Sequence, residues 1–241
     1  MRRFITIFFL LAWAVMTEAA QQVVVPGGLA NVEGNSSSMV PFGVGGSRFQ
    51  QVFSASEFSL SGAPTGRIEN IWFRLDANAG GNMVANYPGL EISLSTTSQS
   101  PDALSPLFAD NSGTDQKIVY LGSTVFSATY VPGAAPQPFV FGLNLSTPFD
   151  YVPSRGNLLL QIRTSGGMFS PVPLDAQSLS GDSTSTVFAS SEIATSGTPT
   201  PLGLVVRFDI VPIPERASLT LLGLGCALLL GMFRGRSRRQ S

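Results

Sequence analysis

Histidine is missing from all 241 residues, lysine occurs once, at Lys117, and cysteine once, at Cys226. Without histidine there is no Ser-His-Asp or Cys-His nucleophile arrangement and no His-ligated zinc or iron. Cys226 falls in an apolar run near the C-terminus, so neither a disulfide nor thiol chemistry is available to the rest of the chain. What remains is carboxylate chemistry or oxygen-ligated Ca²⁺. Charge is also scarce, at 12 % of residues. Between Ala20 and Val211 seven basic side chains face thirteen acidic ones, a net charge of −6 that argues against a nucleic-acid partner. Internal stretches with a sustained 3.6-residue apolar period are lacking as well, so few helices are expected there.

The sequence is rich instead in short alternating runs. Leu90, Ile92 and Leu94 alternate with Glu91, Ser93 and Ser95, as do Phe139, Phe141, Leu143 and Leu145 with Val140, Gly142, Asn144 and Ser146. Leu204, Val206, Phe208 and Ile210 repeat the pattern. A period of two with one polar face predicts strands lying over a single core. Further strands are expected at 48–53, 67–75, 117–121, 124–130, 157–164 and 185–189. The breaker clusters Asn78–Asn82, Ser98–Asp102, Pro132–Pro138 and Thr195–Pro201 separate them. The expected fold is all-β: an antiparallel β-sandwich, with a jelly roll as one form of it. About 190 residues suit one such domain, large enough to bury a core without disulfides.

The two ends differ from this body. Met1-Arg2-Arg3 is a basic start, Phe4–Met16 is apolar, and Thr17-Glu18-Ala19 offers small residues for cleavage before Ala20. Residues 1–19 therefore read as a secretory signal peptide. At the other end, residues 212–241 comprise a proline turn, a charge-free stretch at 217–233 and a basic tail at 234–241. Pro212 and Pro214 are expected to stop any strand arriving from Ile210. As a helix, residues 217–233 would span about 25 Å, just short of the ~30 Å hydrocarbon core. Arg234, Arg236, Arg238 and Arg239 make up the shortfall by snorkelling and mark the cytoplasmic flank. A transmembrane helix is expected there, with residues 20–211 as the exported domain.

This tail, Val211-Pro212-Ile213-Pro214-Glu215-Arg216-Ala217 followed by leucines and an arginine cluster, resembles the PEP-CTERM sorting-signal family. Pro214 and Glu215 match the motif, while Arg216 stands where a second proline is expected. The resemblance covers about thirty residues. It implies a bacterial protein exported through the inner membrane, anchored by its tail and recognised by an exosortase-type processing enzyme. The implied destination is the cell surface or the extracellular space. The blocks "RFQQVFSASEFS", "IENIWFRLD", "NLLLQIRTSGG" and "GLVVRF" are similar to secreted domains that precede such tails. The role implied is structural or adhesive, in association with exopolysaccharide; the residues themselves, with no histidine and no carboxylate pair that the sequence brings together, lead to the expectation of no enzymatic activity.

Two rival functions remain in the residues. In a strand at 71–75, Trp72 and Arg74 share the face opposite Ile71, Phe73 and Leu75. Exposed, they form a platform for a sugar ring; capped by a loop or a second apolar layer, Trp72 is structural. A polysaccharide hydrolase needs two carboxylates ~5 to 9.5 Å apart, and Glu57, Glu69, Glu91 and Asp76 are candidates. Asp110-Asn111-Ser112-Gly113-Thr114-Asp115 has alternating oxygen side chains but lacks the EF-hand order, which favours an Asx turn over a Ca²⁺ loop. Asp175 and Asp182 are expected in a solvated turn. No residue pattern calls for a cofactor.

Overall fold

The structure is a computed structural model and describes residues 20–60, 66–169 and 172–213. Within them the chain is built almost wholly from antiparallel strands, as the alternation requires. One sheet has the order β1 (Gln21–Val25), β14 (Val206–Pro212), β4 (Gly66–Phe73), β7 (Phe141–Tyr151). The larger sheet runs β12 (Thr198–Thr200), β11 (Thr184–Ala189), β3 (Ser47–Phe53), β8 (Asn157–Thr164), β5 (Met83–Thr97), β6 (Lys117–Ala128), with β9 (Met168–Phe169) added beside β5. A small third sheet joins β13 (Leu202–Leu204), β10 (Leu174–Ser178) and β2 (Ser36–Ser38).

The inner faces of the two large sheets supply one apolar cluster, to which Ile68, Ile71, Phe73, Val206 and Phe208 come from one sheet and Phe53, Leu90, Ile92, Leu158 and Ile162 from the other. Aromatic rings pin the layers together. Phe126 meets Phe141 edge-on at 4.3 Å between centroids, and Phe53 meets Phe208 at 5.1 Å. Phe42, from the connection between β2 and β3, contacts Phe141 at 4.8 Å, Phe73 at 5.2 Å and Phe126 at 5.3 Å. Elsewhere Phe58, on the short helix α1 (Ala55–Leu60), meets Tyr151 at 5.0 Å and Phe208 at 5.6 Å. Each such ring contributes about 1.5–3 kcal/mol through burial, and edge-on pairs add to that.

Several details differ from the sequence expectation. The runs expected at 117–121 and 124–130 join in one strand, β6, which ends at Ala128: Gly122 pairs with Leu90 and Thr124 with Tyr87, so only Ser123 between them lacks a partner. The slack is taken up on β5, where Pro88 and Gly89 bulge between Tyr87 and Leu90. Pro212 does not stop β14 at Ile210: the strand continues, with Val211 opposite Arg67 and Pro212 opposite Gly66. The ladder to β1 already ends at Gln21↔Ile210, so Pro212 sits where β14 has a partner on one side only. Among the described residues no helix is long and apolar enough to cross a membrane. The expected signal peptide, Pro214, Glu215, the helix at 217–233 and the four arginines lie outside the described residues.

Candidate functional site

The outer face of the larger sheet changes character along its strands. Alternation turns Arg48, Gln50 and Val52 of β3 outward, with Leu159, Gln161 and Arg163 of β8 and Glu91, Ser93 and Ser95 of β5 beside them. At one end Val52, Leu159 and Val187 form a second small core beneath Leu104 and Phe108. Phe108 begins the one-turn helix α2 (Phe108–Asn111), so the segment around it is a lid over that end of the sheet. In the middle lies a hydrogen-bonded polar row. Gln161 Oε1 accepts from Gln50 Nε2 at 3.0 Å and from Arg48 Nη2 at 2.9 Å, while Gln161 Nε2 donates to Ser93 Oγ at 3.3 Å.

Arg48 also organises the other, open end. Its Nη1 donates to the Ala194 carbonyl at 2.9 Å and its guanidinium lies 4.5 Å from the Phe108 ring centroid. Burial, with Arg163 nearby, lowers its pKa from the ordinary value. The tie to Ala194 brings Glu192 and Ile193 over the sheet, and an isolated bridge between Leu107 and Ser196 secures the same loop to the lid. Beneath it is a groove of about 230 Å³ lined by Glu91, Leu121, Arg163, Ser165, Glu192 and Ile193, with Gly89 in its floor.

The β5 bulge makes this floor. Ser165 Oγ donates to the Gly89 carbonyl at 3.1 Å, and a Cβ on Gly89 would collide with that hydroxyl. The Arg163 side chain makes no hydrogen bond within the described residues: its Nε is closed off from solvent without a partner, and its Nη1 is 3.9 Å from Glu91 Oε1. Leu121 and Ile193 are 67 % and 82 % exposed. The groove thus sets donors, acceptors and apolar surface side by side, an arrangement fit for a polar ligand.

The expected pair Trp72 and Arg74 forms no exposed platform. Arg74 is fully buried, its Nε donating to Asp175 Oδ2 at 2.6 Å and its Nη2 to the carbonyls of Leu29 at 2.9 Å and Val32 at 2.6 Å. Trp72 lies on the outward face of β4 as expected, but Arg207 stacks over its ring at 4.9 Å and its Nε1 donates to Asp209 Oδ2 at 2.7 Å. Phe139 extends the layer, with the Arg74 guanidinium at 5.0 Å from its ring. The carboxylate Asp175, expected in a solvated turn, is instead buried in β10; Asp182 does lie in a bend and accepts from the Thr184 N–H at 2.8 Å, but its Oδ2 is closed off from solvent, so that turn is not a solvated one.

Among the described residues, Glu33, Asp76 and Asp175 bring carboxylate oxygens within 4.8 Å of one another. Glu33 Oε1 accepts from the Ala77 N–H at 2.7 Å, Asp76 Oδ1 from Asn78 at 2.7 Å and Asp175 Oδ1 from Gly34 at 2.9 Å. Burial pushes the Glu33 and Asp175 carboxyls up, against the opposing pull of backbone N–H groups and of Arg74. Three carboxylates and one guanidinium here clamp the segment 29–34 to the third sheet. The Asp110–Asp115 oxygens likewise meet protein donors: Asp110 Oδ2 accepts from Ser105 Oγ at 3.0 Å and Asp115 Oδ1 from the Thr96 N–H at 2.8 Å. Of the hydrolase candidates, Glu91 faces the groove, Glu69 is on β4 of the opposite sheet, Asp76 belongs to the clamp and Glu57 accepts from the Gly27 N–H at 2.8 Å.

Sequence reasoning picked out Glu91 as polar-face and placed Arg163 in a strand, but not the groove that joins them to Glu192 and Ile193. No protein-family model, curated protein or solved structure matches the chain.

Proposed function

We propose that this is an exported, non-enzymatic surface protein, tethered by its C-terminal segment and associated with extracellular polysaccharide. The tail carries the reading: Val211, Pro212, Pro214 and Glu215 lead into an uncharged stretch closed by Arg234, Arg236, Arg238 and Arg239, as in a PEP-CTERM signal. The geometry of the domain supports it. Gln21 and Ile210 are paired neighbours, so the first residues after the expected cleavage and the last before the tail leave the sandwich together. A domain held at that one point keeps the outer face of its larger sheet available. The finer assignment, a jelly roll followed by a transmembrane helix, belongs to the same proposal. The partners implied are the inner membrane, an exosortase-type enzyme and exopolysaccharide.

A lectin-like module is the second reading, and the groove beside Glu91 and Arg163 favours it over a purely structural role. The test is the intact mass of the exported protein in a host with and without an exosortase, together with its partition among membrane, surface and medium. Loss of residues 1–19 in both hosts, and a C-terminally shortened released form only with the enzyme, is the expected result. A full-length cytoplasmic protein would overturn export. Identical anchored protein in both hosts would overturn processing.

A further inference from the structure

We propose that the groove between β5, β6, β8 and the 190–197 loop holds one neutral sugar residue of a polysaccharide. The inference rests on the polysaccharide association proposed above and narrows it to a site and a ligand class.

The chemistry follows from what the groove contains. A sugar hydroxyl both donates and accepts, and is best held where a fixed donor and a fixed acceptor lie a few ångströms apart. Arg163 and Glu91 are such a pair. Their closest approach of 3.9 Å is too long for a hydrogen bond, so the protein leaves both groups short of a strong partner. Arg163 has side-chain exposure of 36 % and Glu91 of 25 %, which leaves each open to the groove while its base is held in the sheet. Charge-assisted bonds from a guanidinium and to a carboxylate are the stronger kind. Glu192 supplies another acceptor from the opposite wall, and Ser165 Oγ, which donates to Gly89, keeps its lone pairs available.

The apolar part of the lining agrees. Leu121 and Ile193 are aliphatic side chains left in water at the groove, where the C–H face of a pyranose ring covers them. At about 230 Å³ the cavity is below the ~300 Å³ lower end for drug-sized ligands, so it takes a single ring with the polymer continuing beyond it. Charge selects a neutral ring. Two carboxylates and one guanidinium leave the lining net negative, and the domain from Ala20 to Val211 carries −6, so a uronate would be repelled. The loop is fixed in advance by Arg48 at Ala194, which limits the ordering that binding must impose.

The full exported chain in detergent, run in affinity electrophoresis through gels holding galactomannan, xyloglucan or mixed-linkage β-glucan, tests this against gels holding alginate or polygalacturonate. Retardation by at least one neutral polymer is expected, with the apparent Kd raised about tenfold or more by Arg163→Ala, the scale of one hydrogen bond to a charged group. Ile193→Ser and Leu121→Ser, at positions too exposed to matter for folding, should each weaken retardation severalfold at unchanged melting temperature. Retardation by a neutral polymer that all three variants leave unchanged overturns the groove and leaves polysaccharide association standing. Retardation by the acidic polymers alone overturns the neutral class. If none of the five polymers retards the protein, the groove and the polysaccharide association fall together.

Discussion

Arg74 Nε and Asp175 Oδ2 are 2.6 Å apart, and both side chains are sealed from water although 101 residues separate them in sequence. The pair joins the end of β4 to β10 and, through the carbonyls of Leu29 and Val32, holds the segment after β1 in place. Removing one partner leaves the other charge buried and alone, which costs about 3–5 kcal/mol. Arg74→Met should therefore lower the urea midpoint sharply and free the amides of 29–34 for hydrogen exchange. Arg74→Met combined with Asp175→Leu should cost less than the two single changes added together. Strict additivity in a double-mutant cycle would show that the two groups do not depend on each other.

Two raised carboxyls outside that pair give the pH dependence its sign. Burial lifts Glu33 and Asp182 above their ordinary values of 4.5 and 3.8. The folded chain then holds those protons more tightly than the unfolded one, so these groups take stability away as pH rises through the window above the ordinary values. The denaturation midpoint should increase when pH is lowered from neutral towards that window. Glu33→Gln removes one titrating group and should flatten the slope. A wild-type midpoint that falls steadily on acidification, or an unchanged slope in Glu33→Gln, contradicts this account.

Trp72 needs Gly142. The two are paired across β4 and β7, and a Cβ on Gly142 would lie 2.5 Å from Trp72 Cε3 and 2.6 Å from the Ile71 carbonyl oxygen. Gly142→Ala should push the indole off its seat beneath Arg207, red-shift its emission and cost about 1–3 kcal/mol, as overpacking does. Arg207→Leu, which keeps an apolar cover but removes the cation, should alter emission with a smaller loss of stability. An unshifted spectrum in Gly142→Ala would mean that the ring has room to move.

How far the sequence could be read follows from how each residue is buried. β5, β7, β8 and β14 announce themselves because each lays alternate large apolar side chains on one deep core. β10, with the sequence LDAQS, does not: its key residue is a buried carboxylate whose partner is remote. Periodicity placed Trp72 and Arg74 correctly on the face opposite Ile71 and Phe73. It could not say that Arg207 and Phe139 would cover them, since cover comes from a neighbouring strand and a loop. The groove was hidden for a related reason. Glu91 and Arg163 meet through strand register, and Glu192 and Ile193 arrive on a loop that Arg48 holds down.

The tail prediction turns on Arg216. β14 carries Val211 and Pro212 to its paired end beside Arg67 and Gly66, so the segment an exosortase would read begins immediately beyond a fixed strand. Proline has no N–H to give to a ladder and restricts the residue before it, so the sequence at Pro214 is one that disfavours further strand pairing. In the proposed topology Glu215 would place a negative charge on the exported side, opposite in sign to Arg234, Arg236, Arg238 and Arg239 across the uncharged stretch. If the tail acts as the proposed sorting signal, Arg216 directly after Glu215 offsets that charge and stands where the motif it resembles has a second proline, so partial processing with a persistent anchored fraction is expected. Arg216→Pro should raise the released fraction and Glu215→Ala should abolish it, with membrane insertion unchanged in both. Immunoblots of anchored and released protein, in hosts with and without the exosortase, measure this directly. Equal release of wild type and Glu215→Ala in the enzyme-bearing host would mean that Glu215 is not read, and equal release in the two hosts would make the tail a plain anchor.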